Sequence, residues 1–243
     1  MSARAVVAQA RVELMLTLRR GESLVVTFAI PVGILVFFAK VDAVKVTSGP
    51  SIDFLVPGVL ALAVMSTAMV SLGIATGFER RYGVLKRLGA TPLSRAGLLA
   101  AKTLNVLAVE ILQAALIIAV GRALGWEPTS GILVALGLLL VGTVAFAGIG
   151  MLMAGTLRAE ANLAAANGLF LVLLFLGGMA YPLSKLPDAL QTFAKALPAA
   201  ALAECVRGAL AHPMRVPAGE LGVLLVWAVA APLAAARWFR WEE

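Results

Sequence analysis

The stretch Glu79–Lys102, ERRYGVLKRLGATPLSRAGLLAAK, is a short basic segment between two long apolar runs. It contains six Lys or Arg residues and one acidic residue, Glu79. Short loops that are rich in Lys and Arg stay on the cytoplasmic side of a membrane, so this segment predicts how the whole chain is oriented. Its apolar residues also recur at helical intervals, which favours a contact with another molecule.

The composition is that of a polytopic membrane protein. Of the 243 residues, 61% are apolar and only 14% are charged, whereas soluble domains have roughly 45–50% apolar and about 25% charged residues. A very apolar soluble core is excluded because too little polar sequence remains to cover it. The single cysteine, Cys205, excludes an internal disulfide framework. The net charge of +7 comes mostly from residues beside apolar runs, which favours anionic lipid or a protein partner over nucleic acid.

The apolar runs predict an all-α protein that forms a single transmembrane domain over residues 1–243. Runs near or above the ~18–20 residues that cross a bilayer are expected to be spans. Six are predicted, at residues 24–39, 52–77, 103–120, 131–156, 161–181 and 221–236. Four glycines of the fourth span are expected to allow close packing between helices, namely Gly142, Gly148, Gly150 and Gly155.

Two further segments are expected to be helical without crossing the bilayer. Residues 1–23 predict an amphipathic helix in the membrane interface, with a frayed tail as the alternative. Its apolar side is Ala3, Val7, Ala10, Leu14 and Leu18, and its polar side is Gln9, Glu13 and Arg20. Residues 182–220, which contain Pro187 and Pro198, predict an outer re-entrant or interfacial pair of short helices.

The distribution of basic residues predicts the orientation of these spans. Thirteen of the 20 basic residues fall on the side that contains Glu79–Lys102, while the acidic residues divide evenly apart from Glu110 inside a span. The positive-inside rule then places both termini in the cytoplasm, which agrees with an even number of spans.

Helical spacing predicts that Glu79–Lys102 is a hairpin of two short helices. In the first, Phe78, Tyr82, Leu85 and Leu88 form one apolar stripe, and Gly89 ends the helix. Thr91 and Pro92 are a start signal for the second helix, which continues through Lys102 into the third span. Physical reasoning alone supports two roles equally, docking on a cytoplasmic partner and anchoring to anionic lipid.

No combination of residues supports catalysis or a metal site. The only histidine, His212, is predicted in an outer loop, and Cys205 alone does not complete a metal site with it. The sequence has no phosphate-binding loop of the G-x-x-x-x-G-K-[ST] type. If ATP drives this protein, another chain must bind the nucleotide.

Three separated motifs resemble those of type 2 ABC-transporter permeases, the family of daunorubicin-resistance-type drug exporters and polysaccharide exporters. The first is similar to the family's first cytoplasmic loop, with Val84 where Thr is usual. The second is Asp53–Gly58 at the start of the second span, and the third is Leu197-Pro198 through Arg207-Gly208. The loop residues that carry the resemblance are Glu79, Arg80, Gly83, Leu85, Lys86, Arg87, Thr91, Pro92, Leu93, Ser94, Arg95 and Lys102.

The resemblance implies the permease subunit of an exporter for a drug, lipid or glycolipid in a bacterial plasma (inner) membrane. Residues 1–23 would be the interfacial elbow helix, and the outer helices, with Pro182, Pro198 and Arg207, would cap the pathway. Two copies of the permease would pair above two ATPase subunits, which would hold the ATP and Mg, and this chain would hold no cofactor. The loop would be the coupling helix on the ATPase, through Phe78, Glu79, Arg80, Arg81, Tyr82, Gly83, Leu85, Lys86, Arg87, Leu88, Thr91, Pro92 and Arg95. The alternative is a non-transporting membrane scaffold or immunity-type partner.

Polar residues in the third span are candidates for the translocation path. Lys102, Asn105 and Gln113 fall on one sector of an ideal helix, and Glu110 borders that sector. A charge at mid-bilayer costs ~2.5–3.5 kcal/mol on insertion scales, so Glu110 is expected to face protein or water. It would either attract cationic cargo or be a protonated or paired structural residue.

Overall fold

The computed structural model describes residues 3–19, 21–41, 51–89, 95–127, 131–179 and 182–240, and all regular structure within them is helical. Eleven α-helices are found in this part of the chain. They are α1 (Ala3–Arg19), α2 (Gly21–Val41), α3 (Ser51–Val64), α4 (Leu72–Arg81), α5 (Val84–Gly89), α6 (Arg95–Ala123), α7 (Ile132–Thr156), α8 (Ala159–Leu176), α9 (Asp188–Lys195), α10 (Pro198–Leu210) and α11 (Ala218–Trp238).

Five helical runs of the described residues are long and apolar enough to cross a membrane. They are Ser51–Arg81, Ala100–Ala123, Ile132–Thr156, Ala159–Leu176 and Ala218–Trp238. Each corresponds to a predicted span, although α8 ends at Leu176 and Tyr181 lies outside the described residues. The first predicted span corresponds to α2, whose apolar stretch Thr27–Val41 is shorter than the other five. Five of the six predicted spans therefore have a counterpart among the helices that are long and apolar enough to cross a membrane.

The run Ser51–Arg81 is not a regular α-helix throughout. Residues Met65–Ser71 form a π-helical segment between α3 and α4. Segments of this kind are rare and often occur at functional sites. Here it contains Thr67, whose hydroxyl donates a hydrogen bond of 3.1 Å to the Gln113 side chain on α6.

Helix α7 lies at the centre of the bundle, because it packs against α3, α4, α6, α8, α10 and α11. A Cβ atom added at Gly148 would lie 2.5 Å from the Pro232 backbone nitrogen on α11, and one at Gly150 would lie 2.6 Å from the Met69 carbonyl oxygen. Cβ atoms at Gly142 and Gly155 would collide with Leu202 and with the ring of Phe239. The predicted close packing at these four glycines is confirmed.

Helices α1 and α2 follow α6 in the same direction. Three contacts show this parallel arrangement: Glu13 with Lys102, Thr17 with Asn105, and Thr27 with Gln113. The residue numbers increase on both sides from one contact to the next. Glu13 and Thr17 are the inward-facing polar residues of α1, while Val7, Val12 and Leu16 are exposed. The side of α1 that carries Glu13 and Thr17 therefore packs against α6 through hydrogen bonds.

The segment predicted as one helix from Phe78 to Gly89 is broken in the structure. Helix α4 ends at Arg81, where the Tyr82 N–H donates to the Phe78 carbonyl and the Gly83 N–H donates to the Arg80 carbonyl. Gly83 has a φ of +72°, which glycine adopts without the steric cost that a side chain would add. The predicted apolar stripe is therefore wrong as a single helical face.

A comparison of two glycines on α7 tests the close packing. Gly150→Ala should lower the free energy of unfolding by about 1–3 kcal/mol, because the new methyl group collides with backbone atoms of the π-helical segment. Gly137→Ala is the matched control, since nothing lies within 4 Å of its added Cβ, and it should melt at or above the wild-type temperature. Thermal unfolding in detergent measures both, and equal melting temperatures would contradict the packing.

Candidate functional site

The basic segment is held from inside by a buried cluster of three charged side chains. The Lys102 ammonium group on α6 donates hydrogen bonds to Glu13 on α1, at 2.9 Å, and to Glu79 on α4, at 2.7 Å. The Lys102 side chain is only 2% exposed, and those of Glu13 and Glu79 are 12% and 26% exposed. One lysine thus joins three helices that are far apart in the sequence.

Polar contacts continue from this cluster toward the middle of the bundle. The Asn105 side-chain amide donates to the Thr17 hydroxyl at 3.2 Å. A cavity of about 120 Å³ lies beside the cluster and is lined by residues of α1, α2, α4, α6 and the π-helical segment. The contact between α1 and α6 therefore includes two polar pairs, Glu13 with Lys102 and Thr17 with Asn105.

The two arginines after Glu79 connect α4 to the turn before α8 and to the first turn of α8. Arg80 is buried, and its guanidinium donates to the Leu157 carbonyl oxygen at 2.5 Å. Arg81 forms an ion pair with Glu160, and both of these side chains are exposed. The backbone N–H of Arg240, after α11, also reaches this region, where it donates to the Gly155 carbonyl. We call the end of the bundle that contains these contacts and the Lys102 cluster the basic end.

Around the break at Gly83, from Tyr82 to Arg87, the side chains divide into a buried and an exposed group. Leu85 is fully buried, whereas Tyr82 is 69% exposed and its ring stacks on Phe78 with 6.2 Å between centroids. Val84, Lys86 and Arg87 are also exposed. We call these four exposed residues, Tyr82, Val84, Lys86 and Arg87, the α5 face.

Thirteen residues were predicted to contact an ATPase, and they differ in whether their side chains are buried, exposed or outside the described part of the chain. Glu79, Arg80 and Leu85 face the protein, and Arg81 is paired on the surface. Tyr82, Lys86 and Arg87 belong to the α5 face, beside the turn residue Gly83 and the half-buried Phe78. Thr91 and Pro92 lie outside the described residues, as do the side chains of Leu88 and Arg95.

The three predicted path residues on α6 lie in two different surroundings. Asn105 belongs to the polar contact with α1, and Gln113 donates to the Thr27 carbonyl at 2.8 Å. Glu110 instead faces α7, where its carboxyl group is hydrogen-bonded to the Thr143 hydroxyl. Asn105 and Gln113 therefore contact α1 and α2, whereas Glu110 is hydrogen-bonded to α7.

Arg207 connects two of the three resemblance motifs at the opposite end of the bundle. Its guanidinium lies 3.8 Å from the centroid of the Phe54 ring and donates to the carbonyls of Gly178 and Met179. It also pairs with Glu204, at 2.8 Å. Burial lowers the pKa of Arg207, an effect that Glu204 opposes.

The two prolines of the predicted outer motif lie at helix starts. Pro182 precedes a short 3₁₀ turn, Leu183–Lys185, and Pro198 is the first residue of α10. Helices α9 and α10 lie at the positions of the expected pair of short helices.

The model of the ABC-2 type transporter family matches residues 4–211, which is most of the chain. The chain belongs to the ABC-2 type transporter family. Proteins of this family are the permease components of ABC exporters, lack an ATPase site of their own and generally work with an ABC ATPase. No curated protein matches the chain significantly.

Within the described residues of this ABC-2 chain, no group of three or more His, Cys, Asp or Glu side chains could hold a metal ion. Cys205 is fully buried, and burial, with the nearby Glu220 and Glu204, raises the pKa of its thiol to about 11. The thiol is therefore protonated at neutral pH and is a poor nucleophile.

The sequence did not reveal the partners of the buried cluster. Glu13, Thr17 and Thr143 were not predicted as site residues, and each contacts a polar residue on α6. One signal was present, since Glu13 is the only acidic residue of α1. A carboxylate that is buried between helices needs a cation or hydrogen-bond donors as partners.

Removal of the central lysine tests whether the cluster holds the basic end together. Lys102→Met should lower the free energy of unfolding by about 3–5 kcal/mol, because two carboxylates then lose their buried cation. The triple variant with Glu13→Gln and Glu79→Gln added should recover most of this loss. Arg81→Gln, which breaks an exposed pair, should cost about 0–1 kcal/mol. Thermal unfolding in detergent measures all three, and a Lys102→Met protein as stable as wild type would contradict the role of the cluster.

Proposed function

We propose that this chain is the membrane-spanning permease subunit of an ABC exporter that moves a hydrophobic or amphipathic substrate, such as a drug, lipid or glycolipid, out of the cytoplasm. The energy comes from ATP hydrolysed by a separate subunit, which holds the nucleotide and its Mg. The working complex contains two copies of this chain and two ATPase subunits. It lies in a bacterial plasma membrane, with both termini in the cytoplasm and α2 as the first of six spans.

The observation that carries this proposal is that the exposed α5 face follows directly after α4, whose last turn is fixed by the buried contacts of Glu79 and Arg80. The side chains of Tyr82, Val84, Lys86 and Arg87 project from the basic end. Tyr and Arg are enriched among the residues that dominate protein–protein binding energy. A short helix that presents them beside a buried Leu85 has the chemistry of a docking element for a protein surface.

The contacts behind the α5 face explain how force would pass into the permease. Glu79 lies three residues before Tyr82 and is hydrogen-bonded to Lys102, which also holds Glu13. Arg80 connects the same helix to the turn before α8. A displacement of α5 would therefore pass to α1, α6 and the start of α8 through hydrogen-bonded side chains that are buried or partly buried.

Charge distribution supports the cytoplasmic placement of the basic end. At this side of the bundle, Arg80 and Arg81 lie in the last turn of α4, Arg158 directly precedes α8, and Arg240 follows α11. The positive-inside rule places such an end in the cytoplasm, where an ATPase is available.

Substitution of the α5 face tests the docking role. In the double variant Tyr82→Ala, Arg87→Glu, the amount of co-expressed ATPase subunit that co-purifies should fall at least tenfold. The variant loses an aromatic contact and reverses a charge on the α5 face, while the buried contacts of Glu79 and Arg80 stay intact. Lys185→Glu, an exposed basic residue at the opposite end, is the matched control and should co-purify like wild type.

The same complex separates an exporter from a non-transporting scaffold. Reconstituted with the ATPase, the wild-type permease should change the ATPase rate in response to members of a drug and lipid panel, and the double variant should not. Full association of the double variant with the ATPase would overturn the docking role, and a wild-type complex insensitive to every compound would favour the scaffold.

A further inference from the structure

A second, larger cavity lies between α3, α6 and α7, away from the Lys102 cluster. Its volume is about 560 Å³, and its walls are almost entirely apolar side chains. Cavities of ~300–1,000 Å³ with mostly apolar walls and a few polar groups are typical of small-molecule sites. The three polar residues in this wall are Glu110, Gln113 and Thr143.

Among the polar residues of this wall, Glu110 is the one with a side-chain atom that has no hydrogen-bond partner within the described residues. The residue is 7% exposed, and one carboxyl oxygen, Oε2, is hydrogen-bonded to Thr143. The other, Oε1, is buried and has no hydrogen-bond partner among the described residues. Gln113 differs, since its amide donates to Thr27 and its carbonyl accepts from Thr67.

A buried polar atom without a partner is costly, by about 1–3 kcal/mol, and is uncommon in native structures. Within the described residues, the two other polar side chains of the wall have no unpartnered atom, since the Thr143 hydroxyl lies within hydrogen-bond distance of Glu110 and Gln113 contacts Thr27 and Thr67. A ligand that donates a hydrogen bond to Glu110 Oε1 would remove this cost.

The cavity opens on a surface suited to the interior of a bilayer. Ile111 and Leu140 border it and are 67% and 47% exposed. Glu110 and Thr143 lie near the middle of Ala100–Ala123 and Ile132–Thr156, two of the helices long enough to cross a membrane. A molecule dissolved in the bilayer can therefore reach this cavity without passing through the polar basic end.

We propose that this cavity is a membrane-facing binding site for a lipophilic amine. The hydrocarbon part packs against the apolar walls, and the ammonium group donates a hydrogen bond to Glu110 Oε1 while it neutralises the carboxylate. A phospholipid acyl chain fills the same space but leaves Oε1 without a partner, and an alcohol leaves the charge uncompensated. Binding does not depend on transport, and only the use of the site for loading cargo rests on the proposed export function.

The test measures binding to the permease alone in phosphatidylcholine nanodiscs, with empty nanodiscs subtracted. The probe is dodecylamine that carries a dansyl group at the end distant from its free ammonium, and its alcohol analogue is the comparison ligand. Wild type should bind the amine more tightly than the alcohol. Glu110→Gln should weaken amine binding at least tenfold and leave alcohol binding unchanged. Asp188→Asn, which removes an exposed carboxylate on α9, should bind both ligands like wild type.

A second variant tests the location independently of charge. Ala114→Phe, at a wall position of the cavity, should weaken the binding of both ligands because it fills the space. Unchanged amine binding by Glu110→Gln, equal binding of amine and alcohol by wild type, or unchanged binding by Ala114→Phe would each overturn the proposal. Because no ATPase is present, these outcomes are independent of the docking test on the α5 face.

Discussion

The arrangement of the basic end depends on one buried lysine. Lys102 is almost completely enclosed and has a carboxylate on either side, from Glu13 and from Glu79. A buried charge without partners is strongly unfavourable, so the lysine stays buried only while α1 and α4 hold their carboxylates against it. This condition couples the positions of three helices.

The opposite end and the centre of the bundle are held by different means. Arg207 joins the start of α3 to the end of α8 through carbonyl groups and the face of Phe54. In the centre, the glycines of α7 allow its backbone to approach the π-helical segment and α11 closely. The bundle thus has polar connections at its two ends and a tightly packed centre. The apolar cavity beside Glu110 lies between them, against the same central helix.

Sequence patterns predicted the parts of this fold that depend on local information. The fourth span was predicted at residues 131–156 and is found at Ile132–Thr156, because an apolar run between turn signals defines its own limits. The direction in which Glu79 points could not be predicted, since its partner Lys102 lies 23 residues away and the second carboxylate, Glu13, lies 89 residues from that lysine. The break after Arg81 was missed although Gly83 signalled it, because the helical spacing of apolar residues continues across the glycine.

Hydrogen–deuterium exchange of the Lys102→Met protein in nanodiscs is the most direct test of the claim that this lysine holds α1 and α4 together. Exchange reports local opening segment by segment, so it separates loss of the cluster from general destabilisation. The account predicts faster exchange in α1 and in residues 72–89, with α11 unchanged from wild type. Wild-type protection of α1 in this variant would show that the helix is held by other contacts and would contradict the account.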